Sequence, residues 1–260
     1  MPALFLFSEA DRVLWPLPLS HCLGHHLGVL GVLAVGASAR IMDGFSAGAV
    51  LDALAEEPFT FLAAVPAMYH QLVQAARERG APATALRMCL TAGSVASAAL
   101  GEEVEEVFGV SLIDSLGTTE TCGPITTNWP TGHRVPGSCG LPLPGLSVRL
   151  VDPDTGLDVP AGDEGELWVN GPNVMLGYHD QPEATAEVLT DGWYHTGDLA
   201  RRDESGYLTI TGRIKELIIR GGENIAPAGI ESCLAEHPDV LDATAFGIPD
   251  ERMGEIVGVA

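Results

Sequence analysis

Residues 110–120 read Val-Ser-Leu-Ile-Asp-Ser-Leu-Gly-Thr-Thr-Glu, and this stretch decides the fold class. It begins with an apolar, strand-like run and continues with polar and Gly residues that are typical of a strand exit. Upstream, four more strand-like runs alternate with segments of helical spacing. Such alternation predicts an α/β fold with a mostly parallel, helix-covered sheet. The predicted strands are 13–19, 39–42, 59–65, 86–91 and 110–113, and the predicted helices are 22–36, 47–57, 67–79 and 96–108.

After residue 136 the pattern changes. Strand-like runs now flank turn-forming sequences such as Asp-Pro-Asp-Thr-Gly at 152–156, which predicts hairpins. The expected elements are strands at 147–151, 164–170, 199–202, 207–211, 216–220, 240–246 and 256–260, and helices at 182–188 and 227–236. The sequence therefore predicts three parts. They are a partial αβ core of a large domain (1–136), a β-rich subdomain of that domain (137–212), and the hinge with the start of a small α+β C-terminal domain (213–260).

Composition and charge limit the class of function. The chain has 35 acidic and 13 basic residues, a net charge of −22, and 46% hydrophobic residues. It is expected to be globular and to avoid nucleic acid and anionic membranes. Five scattered Cys residues without a Cys-x-x-Cys pair, no signal peptide and no apolar stretch long enough to span a bilayer predict a reduced, cytoplasmic protein.

The end of the opening stretch suits an anion bound together with a metal ion. Backbone N–H groups and the hydroxyls of Thr118 and Thr119 are donors for phosphate oxygens. Glu120 would repel a phosphate unless a hard cation such as Mg²⁺ lay between them. Taken alone, the segment favours a simpler interpretation, a turn whose hydroxyls bond one another. Three segments downstream reverse that preference.

Those segments carry charged residues at predicted loops. Asp198 follows a Gly between hydrophobic residues and can accept both hydroxyls of a ribose, or else cap its own turn. Arg213 and Lys215 stand two residues apart at a change in composition, where an ordinary charged linker is the alternative. Residues 220–225 read Arg-Gly-Gly-Glu-Asn-Ile, a Gly-rich loop between a predicted strand and a predicted helix, or a plain connection.

In this order, the segments resemble the adenylate-forming (AMP-binding) superfamily, and within it the acyl-CoA synthetases or CoA ligases. Two further blocks match: Gly-Glu-Leu-Trp-Val-Asn-Gly at 165–171 followed by Val-Met-Leu-Gly-Tyr at 174–178, and Pro-Leu-Ser-His-Cys-Leu-Gly at 18–24. The resemblance implies ATP-dependent activation of a carboxylic acid, fatty or aryl, to acyl-AMP. The acyl group then passes to the thiol of CoA. ATP, Mg²⁺ and CoA are the implied cofactors and co-substrates.

The resemblance also implies roles for individual residues. Asp114 is expected to accept the adenine amino group, Asp198 to bind the ribose hydroxyls, and Arg213 to contact ribose or phosphate. Glu120 is expected to hold Mg²⁺, and Lys215 to be the hinge of the C-terminal domain. The expected sets are catalytic Thr119, Glu120 and Lys215; nucleotide-binding Gly93, Ser94, Asp114, Ser115, Leu116, Gly117, Thr118, Thr119, Asp198 and Arg213; acyl-binding His21, Cys22, Gly93, Ser115 and Cys122; and CoA-binding Gly221, Gly222 and Glu223.

The sequence departs from the family pattern in three places. Leu116 stands where the family usually has an aromatic ring that stacks on adenine. Neither the family's upstream Lys-containing phosphate loop nor its C-terminal catalytic Lys is found, so the chain is interpreted as a fragment truncated at both ends and weak or inactive alone.

Several alternatives remain at this point. His21 could be a buried core residue or part of a metal site with His25 and His26. The chain could be an adenylation domain that loads the pantetheine thiol of a carrier protein, or a non-catalytic nucleotide- or acyl-binding module.

Overall fold

The computed structural model describes residues 5–94, 96–235, 237, 240, 243–250 and 252–260. The chain forms two compact units, Met1–Leu146 with Gly171–Gly177, and Ser147–Asn170 with Tyr178–Ala260. The predicted fold class is confirmed, because a mostly parallel, helix-covered sheet precedes antiparallel β-rich sheets. The three-part domain division at residues 136 and 212 stays a prediction. No helix in the described part of the chain has both the length and the apolar character that a membrane span needs.

The first unit is built on a seven-stranded sheet with the order β2-β1-β3-β4-β5-β6-β7. The pairs among the first five strands are parallel, whereas β6 and β7 are added antiparallel. The strands are β1 (Arg12–Trp15), β2 (Ser38–Ile41), β3 (Phe61–Ala64), β4 (Met88–Ala92), β5 (Leu112–Thr118), β6 (Gly123–Thr127) and β7 (Leu141–Pro142). All five predicted strands of this region are therefore present.

Helices connect the parallel strands and cover both faces of the sheet. They are α1 (Val32–Val35), α2 (Ala47–Glu56), α3 (Pro66–Arg79) and α4 (Ala98–Phe108). Ser46 and Ser97 start α2 and α4, since each side-chain oxygen accepts a backbone N–H from the first turn. The segment Gly24–Gly31 before α1 is a π-helix and not the α-helix that its spacing predicts. A Cβ on Gly28 would lie 2.8 Å from the Trp15 ring, so this glycine permits close packing on β1.

The second unit contains two antiparallel sheets. The first has the order β10-β11-β9-β8, with β12 also paired to β11, and the second has the order β14-β13-β16-β15. Its elements are β8 (Ser147–Val151), β9 (Glu164–Asn170), α5 (Pro182–Val188), β10 (Leu189–Thr190), β11 (Trp193–Arg202), β12 (Leu208–Arg213), β13 (Ile218–Arg220), β14 (Glu223–Ile225), α6 (Pro227–Ala235), β15 (Ala245–Asp250) and β16 (Gly254–Val259).

Two predictions in the second unit need correction at their ends. The strand predicted at 216–220 is shorter, because Ile214–Glu216 form a 3₁₀ turn. Of the strand predicted at 240–246, residues 241 and 242 lie outside the described residues, and β15 begins only at Ala245. Glu236, at the end of the helix predicted at 227–236, also lies outside the described residues.

Candidate functional site

The predicted site residues of the first unit gather where parallel strands end. Thr91 of β4 is paired with Asp114 of β5, and Ala92 with Ser115, so the exit of β4 at Gly93 lies beside the polar end of β5. The carboxyl edge of an open parallel sheet is the usual place for a ligand. The segment that contains His21 and Cys22 follows β1. This strand ends at the same edge of the sheet and lies two strands away from β4. The register therefore brings the strand exits at Gly93 and Ser115 together.

The exit of β4 leaves space at this edge. Gly93 has φ of +93°, a left-handed conformation that other residues adopt only with strain. A Cβ on Gly93 would lie 3.6 Å from a methyl carbon of Val65. Gly93 and Ser94 are both exposed, so their backbone can approach a ligand.

Asp114 lies at the rim of a cavity of about 120 Å³ between the start of α4 and the segment 134–138. Its carboxylate accepts the backbone N–H groups of Ser115 and Ala96, yet burial outweighs these bonds and raises the pKa of Asp114 to about 7. Arg134 and Asn128 also line this cavity. A carboxyl group with such a pKa can accept or donate a hydrogen bond near neutral pH.

The sequence predicts that the strand at 110–113 ends before Asp114, and this prediction was wrong, because most of 114–120 is strand. β5 runs through Thr118 and pairs antiparallel with β6, which starts at Gly123. The close pairing depends on Gly117, because a Cβ there would lie 2.5 Å from the carbonyl oxygen of Gly123. Only residues 119–122 form the turn. The apolar run at 110–113 predicts too early an end for the strand. The polar residues after it form a strand only because they pair with β6, and the run itself carries no sign of that pairing.

The turn is shaped by hydroxyl groups. Thr121 is fully buried, and its Oγ1 accepts the Thr118 N–H at 3.2 Å and donates to the Gly123 carbonyl at 2.7 Å. Thr118 Oγ1 accepts the N–H of Thr121 at 3.2 Å in return. The Thr118 hydroxyl is thus engaged in the turn, as the simpler interpretation of the sequence predicted, whereas Thr119 is exposed. Thr121 was missed; its spacing of three residues from Thr118 was the available signal.

The segment 171–177 holds the turn from outside. The Met175 N–H donates to the Glu120 carbonyl at 2.7 Å, and Asn173 Nδ2 donates to the Thr121 carbonyl at 2.8 Å. The resemblance of the block 174–178 to the family gives no structural reason for its sequence, and no motif points to Asn173. These two contacts fix two successive carbonyls, those of Glu120 and Thr121, which follow the Cα that carries the Glu120 side chain.

The acyl-binding residues differ in their surroundings. Ser115 is buried, and its hydroxyl donates to the Thr126 carbonyl at 2.9 Å. The hydroxyl proton is therefore already used and cannot be donated to a ligand. Cys122 is exposed with φ of +50°. His21 is exposed, which excludes the buried-core alternative, and Cys22 beside it is half-buried. Across the described residues there is no group of three or more His, Cys, Asp or Glu side chains placed to hold a metal ion, so the alternative with His25 and His26 gains no support.

The second unit contains Asp198 and Arg213 as a pair. They face each other in the register of β11 and β12, and Arg213 Nε donates to Asp198 Oδ1 at 2.8 Å. Asp198 is 2% exposed, whereas 58% of the Arg213 side chain is exposed. The guanidinium therefore holds one carboxylate oxygen and remains accessible from solvent.

The predicted hinge and CoA-binding residues lie nearby in the chain. Lys215 is exposed in the 3₁₀ turn Ile214–Glu216. Gly221 and Gly222 have φ of +62° and +88° and form a two-residue turn between β13 and β14. The prediction of a loop between strand and helix was therefore wrong, because Glu223 starts β14 and α6 begins only at Pro227.

Comparisons with known proteins agree with this geometry. A family model described as AMP-binding enzyme matches residues 1–179. Over 263 residues the chain is 44% identical to naringenin synthase of Pestalotiopsis fici, covering 97% of this chain and 9% of that protein. It is 41% identical over 251 residues to indoleacetate–CoA ligase of Aromatoleum aromaticum, covering 96% of this chain and 49% of that protein.

Solved structures are similar over nearly the whole chain. ATP-bound MatB from Rhodopseudomonas palustris matches with a TM-score of 0.92 and 34% identity, over 99% of this chain and 51% of that one. O-succinylbenzoate coenzyme A synthetase (MenE) from Bacillus subtilis, in complex with ATP and magnesium ion, matches with a TM-score of 0.84 and 33% identity, over 97% of this chain and 52% of that one. The chain spans about half the length of the CoA ligases that it matches. It belongs to the AMP-binding, adenylate-forming family of enzymes, of the acyl-CoA ligase type.

Proposed function

We propose that this chain provides the nucleotide and acyl site of a ligase that uses ATP to activate a carboxylic acid as acyl-AMP and passes the acyl group to CoA. The observation that carries the proposal is the turn after β5, where Thr119 is exposed, the Glu120 carbonyl accepts the Met175 N–H, and the next carbonyl, that of Thr121, accepts the Asn173 side-chain amide. In-line attack at phosphorus depends mainly on positioning and on neutralising charge. A rigid turn with hard oxygen donors suits that task.

Roles in nucleotide binding are proposed for residues of each unit taken separately. In the first unit, Asp114 faces the adenine amino group, Leu116 offers an apolar contact, and Gly93 and Ser94 let the backbone approach. In the second unit, Asp198 accepts the ribose hydroxyls while Arg213 holds its other side. The Asp198 carboxylate is already oriented by an N–H donor at 2.8 Å, so little freedom is lost when a ribose binds.

Glu120 suits Mg²⁺ although the described residues contain no cluster of three acidic or metal-binding side chains. Magnesium usually keeps several waters and needs only one or two protein carboxylates together with phosphate oxygens. When bound, the ion would neutralise phosphate charge; Thr119 beside it would donate to a phosphate oxygen.

We propose an aryl or aryl-substituted acid as the substrate class. Names of matched relatives include indoleacetate–CoA ligase, at 41% identity, and feruloyl-CoA synthase, at 38% identity. The expected wall is small or apolar, since the Ser115 hydroxyl is used internally and Gly93 contributes no side chain. His21 and Cys22 at the exit of β1 and Cys122 after β5 complete it.

Transfer to the thiol is assigned to the segment after Arg213. Lys215 would be the hinge, and the tip of the β13–β14 hairpin, Gly221 to Glu223, would contact the pantetheine of CoA. A carrier-protein thiol is the second candidate acceptor, favoured by one observation: the region occupies only 9% of the relative with 44% identity, a much longer protein.

Two measurements on the 260-residue chain test the proposal. Calorimetry with AMP measures nucleotide binding, and ATP–pyrophosphate exchange with benzoates, arylacetates, cinnamates and fatty acids measures activation. Weak exchange with aryl acids is the expected result for a chain that lacks the upstream phosphate loop and the C-terminal Lys, and exchange with fatty acids alone would overturn the substrate class. AMP binding without any exchange would favour a non-catalytic module, and loss of AMP binding would refute both functions.

A further inference from the structure

The candidate ribose residue Asp198 sits in an irregular part of β11. Trp168 of β9 pairs with His195, but Glu166, two residues away on β9, pairs with Leu199. Residues 196–198 of β11 thus lie against the single residue 167, which makes a bulge of two extra residues. Gly197 within the bulge has φ of +73°. A bulge of this kind removes backbone groups from the strand ladder and redirects a side chain.

Glu166 replaces part of the lost ladder. It is 9% exposed, and its Oε1 accepts the N–H of Gly197 at 3.0 Å. Its Oε2 accepts the indole N–H of Trp168 at 2.7 Å. Both oxygens of a buried carboxylate are therefore engaged, one by the bulge and one by its own strand. Charge-assisted bonds of this type are stronger than bonds between neutral groups.

Neighbouring groups make this arrangement rigid. Thr196 Oγ1 donates to the Leu167 carbonyl at 2.8 Å and accepts the N–H of Asp198 at 3.0 Å. The Trp168 ring stacks on His195 with centroids 3.8 Å apart and planes at 10°. The indole that orients Glu166 is therefore fixed on one face.

We propose that Glu166 is a positioning residue for Asp198: by holding the Gly197 N–H it fixes the bulge that presents Asp198 to the ribose hydroxyls. This inference rests on the proposed nucleotide-binding function. Glu166 does not touch the nucleotide. It acts through the backbone one residue before Asp198, and Arg213 orients the Asp198 carboxylate from the opposite strand.

The chemistry favours a carboxylate at position 166. Both partners of Glu166 are donors, so the site requires two acceptors. A Gln at this position presents one oxygen and one NH₂ group, which turns one of the two contacts into donor against donor. A buried donor that faces another donor costs the free energy of its desolvation, and the bulge would relax to avoid it.

The test compares AMP with 2′,3′-dideoxy-AMP, which lacks the ribose hydroxyls. The variants of the 260-residue chain are Glu166→Gln, Trp168→Phe and the control Glu164→Gln, a matched change two residues earlier on β9 in an exposed residue whose Arg201 contact spans 3.8 Å. Trp168→Phe removes the indole N–H that orients Glu166 but keeps an aromatic ring. It therefore tests the same arrangement if Glu166→Gln does not fold.

The wild-type chain is expected to bind AMP more tightly than the dideoxy analogue. Glu166→Gln should weaken AMP binding about tenfold while changing the analogue less than about twofold, and Trp168→Phe should have a smaller effect in the same direction. Glu164→Gln should match wild type. Equal losses for both ligands would show a merely structural role and overturn the proposal, as would an unchanged ratio in both variants.

Failure of the proposed function has a different signature. If wild-type chain binds AMP and its analogue equally, or if Asp198→Asn leaves their ratio unchanged, Asp198 does not bind ribose, and the role of Glu166 falls with it. If wild type and Asp198→Asn differ as expected while both Glu166→Gln and Trp168→Phe keep the wild-type ratio, only the inference about Glu166 is wrong.

Discussion

Replacing Asp114 with Asn should stabilise the chain at alkaline pH. Burial raises the pKa of Asp114 from 3.8 to about 7, a difference of about three units. For an acid whose pKa is higher in the folded state, stability is fully present below the unfolded pKa and falls as the pH rises through the folded pKa. At pH 8 the ionised carboxylate should cost on the order of 4 kcal/mol of unfolding free energy. Asn is neutral throughout, so it removes this cost.

Asp11 provides a matched change of opposite sign in the same unit. Burial alone would raise its pKa, but hydrogen bonds from Arg87, Thr60 and the Ser8 N–H outweigh it and lower the pKa to about 2. The Arg87 guanidinium contacts both carboxylate oxygens, with Nε 2.7 Å and Nη2 2.9 Å away. Asp11→Asn should therefore destabilise by about 2 kcal/mol near neutral pH, and this loss should shrink as the pH falls from about 4 toward 2.

Unfolding of the first unit can be followed through the Cys89 thiol. Cys89 lies on β4 with 0% exposure, and burial raises its pKa to about 12, so it reacts only when the unit opens. Pulsed thiol labelling in urea, with mass spectrometry of the Cys89 peptide, gives the free energy of unfolding at each pH for wild type and both variants. Asp114→Asn should gain steadily on wild type between about pH 4 and 7 and then level off, whereas Asp11→Asn should remain below wild type from about pH 4 to 8. A stability difference between Asp114→Asn and wild type that does not change with pH would refute the reasoning.

Three further changes probe the turn after β5. Gly117→Ala places a Cβ 2.5 Å from the Gly123 carbonyl oxygen, so it should lower the urea midpoint by the equivalent of at least about 2 kcal/mol and weaken AMP binding; unchanged values of both would contradict the close approach. Thr121→Val keeps the shape but removes the hydroxyl that bonds Thr118 and Gly123, and should cost about 1–3 kcal/mol in the same unfolding assay; a fully stable variant would show that the hydroxyl does not shape the turn. Glu120→Gln should abolish the gain in ATP affinity that Mg²⁺ produces in calorimetry and leave AMP binding within about twofold; a retained Mg²⁺ effect would mean that another group holds the ion.

Local sequence pattern was sufficient for the elements that bury apolar residues on both faces. β1, β3 and β4 are short apolar runs, and their pattern is independent of partners far along the chain. The local sequence pattern was insufficient where the pairing of one strand with another decides the structure. The polar second half of β5 is a strand because β6 returns beside it, and the residues around Gly221 are a hairpin because β14 pairs with β13.

The difference between local sequence motifs and contacts with distant segments also explains which parts of the candidate site the sequence could indicate. Asp114, Glu120 and Asp198 stand in short motifs, so the resemblance identified them. Their supports were missed. The partner of Thr121 is only three residues away and gave a local signal, but Asn173 and Glu166 act through hydrogen bonds whose partners depend on the register of strands or on a segment about 50 residues away. No periodicity in the sequence encodes those contacts.

Asp11 and Asp114, two carboxylates of the first unit whose pKa values shift in opposite directions, show why such supports are needed. Asp11 is held by several donors, its pKa is low, and it stabilises the fold at neutral pH. Asp114 has only two backbone donors against its burial, its pKa is high, and its ionised form opposes the fold. A group in the second situation keeps its position only if the surrounding backbone is fixed by other means. The β5–β6 pairing at Gly117 and the bonds of Thr121 are such means, so weakening them should release Asp114 before the rest of the sheet loosens.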